Sequence, residues 1–374
     1  MTIFNKISVA LDESKYDIII GRDLLENIAS LISNHTKNKQ LIIIGDAIFK
    51  DSVGLHLKDN LAKGGFHCFE YYITAGKENK NFKEVLKVFG ILEENNFARD
   101  STVISLGGGV IGDLSGFVAS TWLRGIKLVH IPTTLLAMVD SSIGGKTAIN
   151  FRKTINGIGS YHQPIFNLID LNLVDSISDR DFFSGMAEVL KVAIIDNKKF
   201  YNYLLSNHKK IIIRDEECLI ECIKTSIEIK IKYVQGDVRE GSKRLHLNYG
   251  HTLGHALEIS TEIDGKEQLR HGEGVSIGIV AAAYIAEKFL KGAVTLDEYI
   301  NIFKMFKLPV NVKSEELGFK RESLIDDCIK NVNKDKKRIN NKLRLILSSK
   351  AGSSSVYSDV PFELVEDAFK YIIK

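Results

Sequence analysis

Cysteine is scarce in this chain, which has four in 374 residues, Cys68, Cys218, Cys222 and Cys328. Four widely spread thiols cannot staple a chain of this length, so a disulfide framework is excluded and a reduced, cytoplasmic setting is expected. Cys218 and Cys222 stand one helical turn apart, but in "EECLIECIKTSIEIK" they sit among apolar residues. That setting reads as core packing in preference to a metal site. Charge of one sign is also lacking, with 50 basic against 47 acidic residues and a net charge of only +3. No overall basic field calls for a nucleic-acid partner, and the charges are interleaved rather than gathered into tails. No apolar run reaches the roughly 20 residues of a membrane-spanning helix. The opening "MTIFNKISVALDESKYDIIIG" has neither the basic nor the apolar region of a secretory signal and reads as alternating strand residues. There is no internal repeat and no low-complexity tract.

What is present is an ordinary globular composition, 44% hydrophobic and 26% charged. The length suits two domains by the usual prior of roughly 100–200 residues each. Through the first half, short β-branched runs ("QLIIIGD", "CFEYYIT", "STVISLGGG", "IKLVHIPTT") alternate with stretches of helical period such as "NFKEVLKVFGILEENNF". This alternation predicts an α/β domain with a Rossmann-like, mostly parallel sheet, whose ligands bind beyond the carboxyl ends of the strands. From about residue 178 the pattern becomes mainly α-helical, with "NKLRLILSSKAG" as the one late strand candidate. The expected division is therefore 1–177 and 178–374, with an active site in the cleft between the two.

Chemistry concentrates in a few segments. "SLGGGVIGDLSG" sets Gly107, Gly108 and Gly109 at a strand-to-helix turn, with Asp113 in the helix. Bare backbone at a helix N-terminus can approach a pyrophosphate, although the spacing is not G-x-G-x-x-G and a plain tight turn is the competing reading. "IPTTLLAMVDSSIGGKTAIN" gathers Thr133, Thr134, Asp140, Gly144, Gly145 and Lys146, a set suited to a ligand with phosphate and hydroxyl groups. "GMAEVLK" puts Glu188 and Lys191 at i, i+3 among small or apolar residues, which hints at a partly buried ion pair. "LNYGHTLGHALE" places His251 and His255 one turn apart, and "LRHGEGV" adds His271. Glu188 with two of these three histidines would satisfy a catalytic zinc site with one open position; spacing alone leaves open which two. Basic residues recur nearby, namely Arg124, Lys146, Lys230, Arg244, Lys336 and Lys337, and converging cations would suit a substrate with several negative charges.

Taken in order, "GGGVIGDLSGF", "RGIKLVHIPTTLLAMVDSSIGGKTAIN", "IGSYHQP", "GMAEVLK", "LNYGHTLGHALE", "HGEGV" and "DKK" resemble the 3-dehydroquinate synthases, the NAD- and metal-dependent sugar-phosphate cyclases of the shikimate pathway. The resemblance implies zinc, or alternatively cobalt, on Glu188, His251 and His271. It implies substrate phosphate near His255, Lys146, Asn156 and Asn248, and substrate carboxylate on Lys230 and Arg244. Lys191 and Lys336 or Lys337 would be further active-site cations. Arg124 would reach across the interface of a homodimer. NAD would lie over Gly108, Gly109 and Asp113 and touch Asp46, Lys80, Thr133, Thr134, Asp140 and Lys146. The implied reaction is cyclisation of 3-deoxy-D-arabino-heptulosonate 7-phosphate to 3-dehydroquinate, through transient oxidation, β-elimination of phosphate, reduction, ring opening and aldol closure.

Two positions depart from the family pattern. Lys77 stands where G-E-x-x-K has its glutamate, and Ile155 stands where a lysine normally precedes Asn156, with Lys153 close by. Both fall on the cofactor side. Competing readings are an amino-dehydroquinate, 2-deoxy-scyllo-inosose or epi-valiolone type of cyclase, and a metal-dependent alcohol dehydrogenase. Substrates without a carboxylate have no need of the Lys230 and Arg244 pair.

Overall fold

A short run that is apolar at every position belongs in a strand buried on both faces, and the segment Leu41–Ile44 is fully buried in an interior strand of a sheet. The computed structural model describes every residue except 12, 13, 153, 294 and 334–342. The chain divides into two compact units, Met1–Ser178 and Asp179–Lys374.

The first unit holds a seven-stranded sheet. In chain order its strands are β1 (Thr2–Leu11), β2 (Ser14–Arg22), β3 (Gln40–Asp46), β4 (His67–Ile73), β5 (Thr102–Gly107) and β6 (Lys127–Pro132), followed by a separate hairpin of β7 (Lys146–Phe151) and β8 (Thr154–Tyr161), and by β9 (Phe166–Asp170). The sheet order is β1-β2-β9-β6-β5-β3-β4; β1 pairs antiparallel with β2 and every other pairing is parallel. Four helices accompany it: α1 (Ile28–Ser33), α2 (Leu55–Lys63), α3 (Phe82–Glu94) and α4 (Gly109–Thr121). Ile42, Ile44, Val103 and Leu128 from the sheet share a core with Val85, Val88 and Leu92 of α3 and with Leu114 and Val118 of α4. That core fixes α4 against the end of β5, so its N-terminus opens just beyond the strand's carboxyl end. The strands β3, β4, β5 and β6 begin within one residue of the runs that announced them. The hairpin β7–β8, which follows the positive-φ pair Gly144 and Gly145, was not expected.

The second unit is mainly helical: α5 (Asp179–Asp196), α6 (Lys198–Ile212), α7 (Glu216–Val234), α8 (His251–Ser260), α9 (His271–Phe289), α10 (Leu296–Met305), α11 (Arg321–Asn333) and α12 (Phe362–Ile372). The stretch 180–207 is two helices. Asn197 ends the run, and its side chain caps α6 by accepting from the Phe200 amide at 3.0 Å. The late strand candidate forms β10 (Leu345–Lys350), paired antiparallel with β11 (Ser353–Tyr357), which the sequence reading missed. Every residue of α5 from Phe182 to Ile195 is buried. A helix buried all round is a core helix, so the charged residues it carries are inside the fold. Among the described residues no helix is long and apolar enough to cross a membrane.

Candidate active site

Glu188 and Lys191 are each only 1% exposed, and they form an ion pair on one face of α5. Burying a carboxylate and an ammonium costs several kcal/mol per ion, so a structural ion pair alone is a poor reason for them. The second oxygen of the same carboxylate faces two imidazoles, Oε1 lying 3.5 Å from His251 Nε2 and 3.3 Å from His271 Nε2. Beyond these charged neighbours, neither Glu188 oxygen has a hydrogen-bond partner among the described residues. The ligating atoms of His251, His255 and His271 lie within 4.8 Å of one another. A buried carboxylate with unsatisfied oxygens, converging with imidazole nitrogen donors, is the donor set that zinc or cobalt prefers. The residues fit a divalent cation.

The outer nitrogens of two of these rings are fixed. His251 Nδ1 lies 3.1 Å from the Tyr249 carbonyl, and His271 Nδ1 lies 3.3 Å from Glu258 Oε1. Burial opposes a charge on His271, but Glu258 and Glu188 together outweigh it and raise its pKa to about 10. A divalent cation between Glu188 and His271 Nε2 would displace a proton from that nitrogen.

The local sequence explains the convergence. α8 and α9 approach through glycines. A Cβ on Gly254 would stand 2.5 Å from the Gly274 carbonyl oxygen, and one on Gly250 would stand 2.5 Å from Ile279 Cγ1 and 2.9 Å from the Val275 carbonyl oxygen. Gly250 also has φ +77°, a conformation glycine adopts without penalty. Close approach brings the His251 and His255 rings to 5.2 and 5.6 Å from that of His271. At the start of α9, Glu273 accepts from the Arg270 amide at 2.8 Å and from Arg180 through two bonds of 2.7 Å. The Gly272 amide donates to Ser184 Oγ at 3.0 Å. Ser184 lies one turn before Glu188 on α5, so this bond sets the height of His271 against the carboxylate.

Two of the other expected cations of this unit are also inside it. Lys230 on α7 is 4% exposed and Arg244 is 2% exposed. Arg244 donates to the Val238 carbonyl at 2.6 Å. Its amide, with those of Gly241 and Ser242, donates to Asp237 at 2.8, 2.7 and 2.9 Å. Burial acts to raise the Asp237 pKa, but these amides prevail and lower it. Asn248 closes the same loop by donating to Glu240. Lys336 and Lys337 lie outside the described residues, as does Lys153.

In the first unit, Gly108 caps α4 and its Cα faces Thr134, with a Cβ there standing 3.1 Å from Thr134 Cγ2. A Cβ on Gly109 would stand 3.1 Å from Ser141 Oγ. Thr133 is buried and its amide donates to the Gly107 carbonyl at 3.1 Å. Asp140 lies in a π-helical turn, Ala137–Ser141. Asp46 ends β3 and accepts from the Ile48 amide at 3.3 Å; burial raises its pKa. Lys80, 6% exposed, donates to Asp113 and, at 2.6 Å, to Asn156 Oδ1. Asn156, for which the family resemblance implied a place near the substrate phosphate, thus sits beside Lys80. Asn150 fastens the hairpin to the 77–80 loop, donating to the Lys80 carbonyl at 2.8 Å and the Lys77 carbonyl at 2.9 Å. Lys146 is exposed at the start of β7. Arg124 is exposed on a turn where Leu123, Arg124 and Gly125 have φ of +48°, +70° and +126°.

The sequence reading missed Glu258 and the glycines between α8 and α9. Glu258 follows His251 by seven residues and His255 by three, a spacing that repeats on one helix face and could have marked it.

Comparison with known proteins identifies the family. The 3-dehydroquinate synthase N-terminal family matches residues 70–184, and the 3-dehydroquinate synthase C-terminal family matches residues 185–338. A 3-dehydroquinate synthase of Thermodesulfovibrio yellowstonii is 38% identical over 361 residues, covering 96% of this chain and 97% of that protein. One from Vibrio atlanticus is 38% identical over 372 residues, covering 98% of each. Among solved structures, 2-deoxy-scyllo-inosose synthase complexed with carbaglucose-6-phosphate, NAD+ and Co2+ shares the fold, with a TM-score of 0.83, 24% identity and coverage of 98% of this chain and 99% of that one. So does 2-epi-5-epi-valiolone synthase from Streptomyces hygroscopicus with NAD+ and Zn2+ bound, with a TM-score of 0.81, 24% identity and coverage of 97% and 98%. With both halves matched and curated relatives aligned nearly end to end, the chain belongs to the 3-dehydroquinate synthase family.

Proposed function

We propose that this chain cyclises 3-deoxy-D-arabino-heptulosonate 7-phosphate to 3-dehydroquinate with release of phosphate, as a lyase dependent on NAD and a divalent metal. The observation that carries the reading is the buried Glu188 carboxylate, short of hydrogen-bond partners and faced by His251 Nε2 and His271 Nε2. Glu188, His251 and His271 would hold Zn2+ or Co2+ and leave a fourth position for substrate oxygen. When bound, the metal supplies a Lewis acid at a substrate hydroxyl, and NAD+ supplies a hydride acceptor that is regenerated within the turnover.

The chain's own residues would do the rest by holding and orienting. Lys230 and Arg244 are buried cations, and a substrate carboxylate gives such groups a counter-charge that water cannot. The Val238 carbonyl fixes the Arg244 guanidinium before substrate arrives, which is the preorganisation that electrostatic catalysis requires. His255 and Asn248 would donate to the phosphate, and Lys191 would hold the charge of Glu188. In the first unit, the N-terminus of α4 at Gly108 and Gly109 would meet the pyrophosphate, with Asp46, Lys80, Asp113, Thr133, Thr134 and Asp140 around the rest of the dinucleotide. The buried Lys230 and Arg244 favour the acid over the uncarboxylated sugar phosphates used by the inosose and valiolone synthases.

The test is phosphate release from the heptulosonate phosphate by metal-stripped protein, with NAD+ and Zn2+ added singly and together. Turnover only with both, and without net NADH, is expected. Net NADH from a simple alcohol would instead assign a dehydrogenase. We propose further that Arg124, presented on its positive-φ turn, serves the neighbouring subunit of a homodimer. Mixing Arg124→Ala with His271→Ala protein should then restore part of the activity that each lacks, and no recovery would count against the shared site.

A further inference from the structure

Glu258 has no part in the reading above, yet it is a carboxylate 8% exposed in the protein interior. Its Oε1 lies 3.3 Å from His271 Nδ1, on the side of the ring opposite Glu188. The space it occupies depends on Gly274. A Cβ at that position would stand 2.5 Å from Glu258 Oε1 and 2.6 Å from its Cγ. The last turn of α8 and the first turn of α9 are therefore shaped around this carboxylate.

We propose that Glu258 is a positioning residue for the metal site: it holds Nδ1 of His271 protonated and so presents the Nε2 lone pair toward Glu188 and the cation between them. The inference rests on the metal-site reading above and deepens it. An imidazole can ligate only through an unprotonated nitrogen, and the partner of the other nitrogen decides which one that is. His251 has a backbone carbonyl in that place, from Tyr249. His271 has a full negative charge instead, which makes the ring a stronger donor than a neutral partner would. The charge count agrees. Glu188 and Glu258 bring two negative charges and Lys191 one positive, so a divalent cation is matched by a net negative shell.

A carboxylate that merely fills space, or pairs with a charged imidazole, would leave metal affinity and ligand field unchanged when replaced by its amide. The experiment therefore compares full-length wild type with Glu258→Gln and Glu258→Asp, each stripped of metal. Zn2+ is titrated against a chromophoric chelator, and the visible spectrum is recorded with Co2+. Glu258→Gln is expected to weaken Zn2+ binding by about 10–100-fold and to shift the Co2+ bands, and Glu258→Asp to recover part of both. Wild-type affinity and spectrum in Glu258→Gln would overturn the proposal while leaving the metal site standing. Failure of the wild type itself to bind either ion would overturn the metal site and the proposal with it. If Glu258→Gln does not fold, the 15N imidazole shifts of zinc-loaded wild type decide. A His271 ring protonated at Nδ1 alone is expected, and protonation at Nε2 overturns the proposal.

Discussion

The two proposed binding surfaces of this chain, one in each unit, are built by opposite means. In the first, the surface proposed to meet the cofactor is largely backbone. It comprises the bare N-terminus of α4 at Gly108 and Gly109, the tight approach of Thr134, and the positive-φ turn before β7. In the second, it is side chains whose charges are buried, with Glu188 and Lys191 both 1% exposed and Glu258 and Arg244 close behind. A backbone site is tolerant of side-chain chemistry and intolerant of volume. A buried-charge site is the reverse, because removing one partner strands the other in a medium that cannot solvate it.

The largest expected effect follows from that stranding. Glu188→Ala leaves Lys191 buried without its partner and should lose about 3–5 kcal/mol of stability, in addition to the metal. His271→Ala removes a proposed ligand but keeps the ion pair, so it should lose the metal with a much smaller drop in melting temperature. Equal melting temperatures for the two variants, measured in the presence of zinc, would break the distinction.

The next effect concerns the first unit, where buried histidines are neutral. Burial depresses the pKa of His130 on β6 to about 4, and His162 beside it is shifted in the same direction. The folded pKa lies below the unfolded value of 6.5. Stability from the neutral ring is therefore complete at and above neutrality and is lost as pH falls from about 6.5 toward 4. The loss amounts to about 3 kcal/mol for His130 from the linkage of roughly 1.4 kcal/mol per pKa unit. Denaturant unfolding of wild type and His130→Leu at pH 7 and pH 4.5 reads this out, the gap between them narrowing in acid. A constant gap would show that His130 does not titrate.

Smaller again is a test of volume. Gly108 has an ordinary φ of −76°, so Gly108→Ala brings no backbone strain, only a methyl 3.1 Å from Thr134. Overpacking of about 1 kcal/mol is expected, with weaker NAD+ binding and unchanged zinc affinity by titration. A zinc effect would mean that the two chemistries are not separable in this way. The smallest effect is expected at Ile155, which is 40% exposed. Ile155→Lys should leave stability within about 0.5 kcal/mol and tighten NAD+ binding a few-fold, as followed by fluorescence titration. Weaker binding would show that the surrounding loop has been rebuilt around isoleucine.

The sequence carried much of this. β3 was legible because a leucine followed by three isoleucines admits little else, and the parallel sheet followed from its alternation with helical period. The histidines and Glu188 were legible as a donor set, and the family resemblance proposed how to divide them. Other features depended on what packs against what. Nothing in the spacing of Gly250, Gly254 and Gly274 says that they lie where two helices close on one another, and Asn156 reaches Lys80 only because Asn150 ties the hairpin to the 77–80 loop. The break within the 180–207 stretch depends on Asn197, where a single side-chain cap starts a new helix.

The proposed metal ligands also differ in how far apart they lie along the chain. His251 and His271 are 271 − 251 = 20 residues apart, whereas Glu188 and His271 are 271 − 188 = 83 apart. Chain-closure entropy grows only with the logarithm of loop length, about 0.6 kcal/mol per doubling, so the distant glutamate carries about 1 kcal/mol more closure cost than the near histidine. That is small beside the cost of desolvating its charge. Recruiting a ligand from a remote helix was entropically cheap for this fold; keeping that ligand dry was the difficult part.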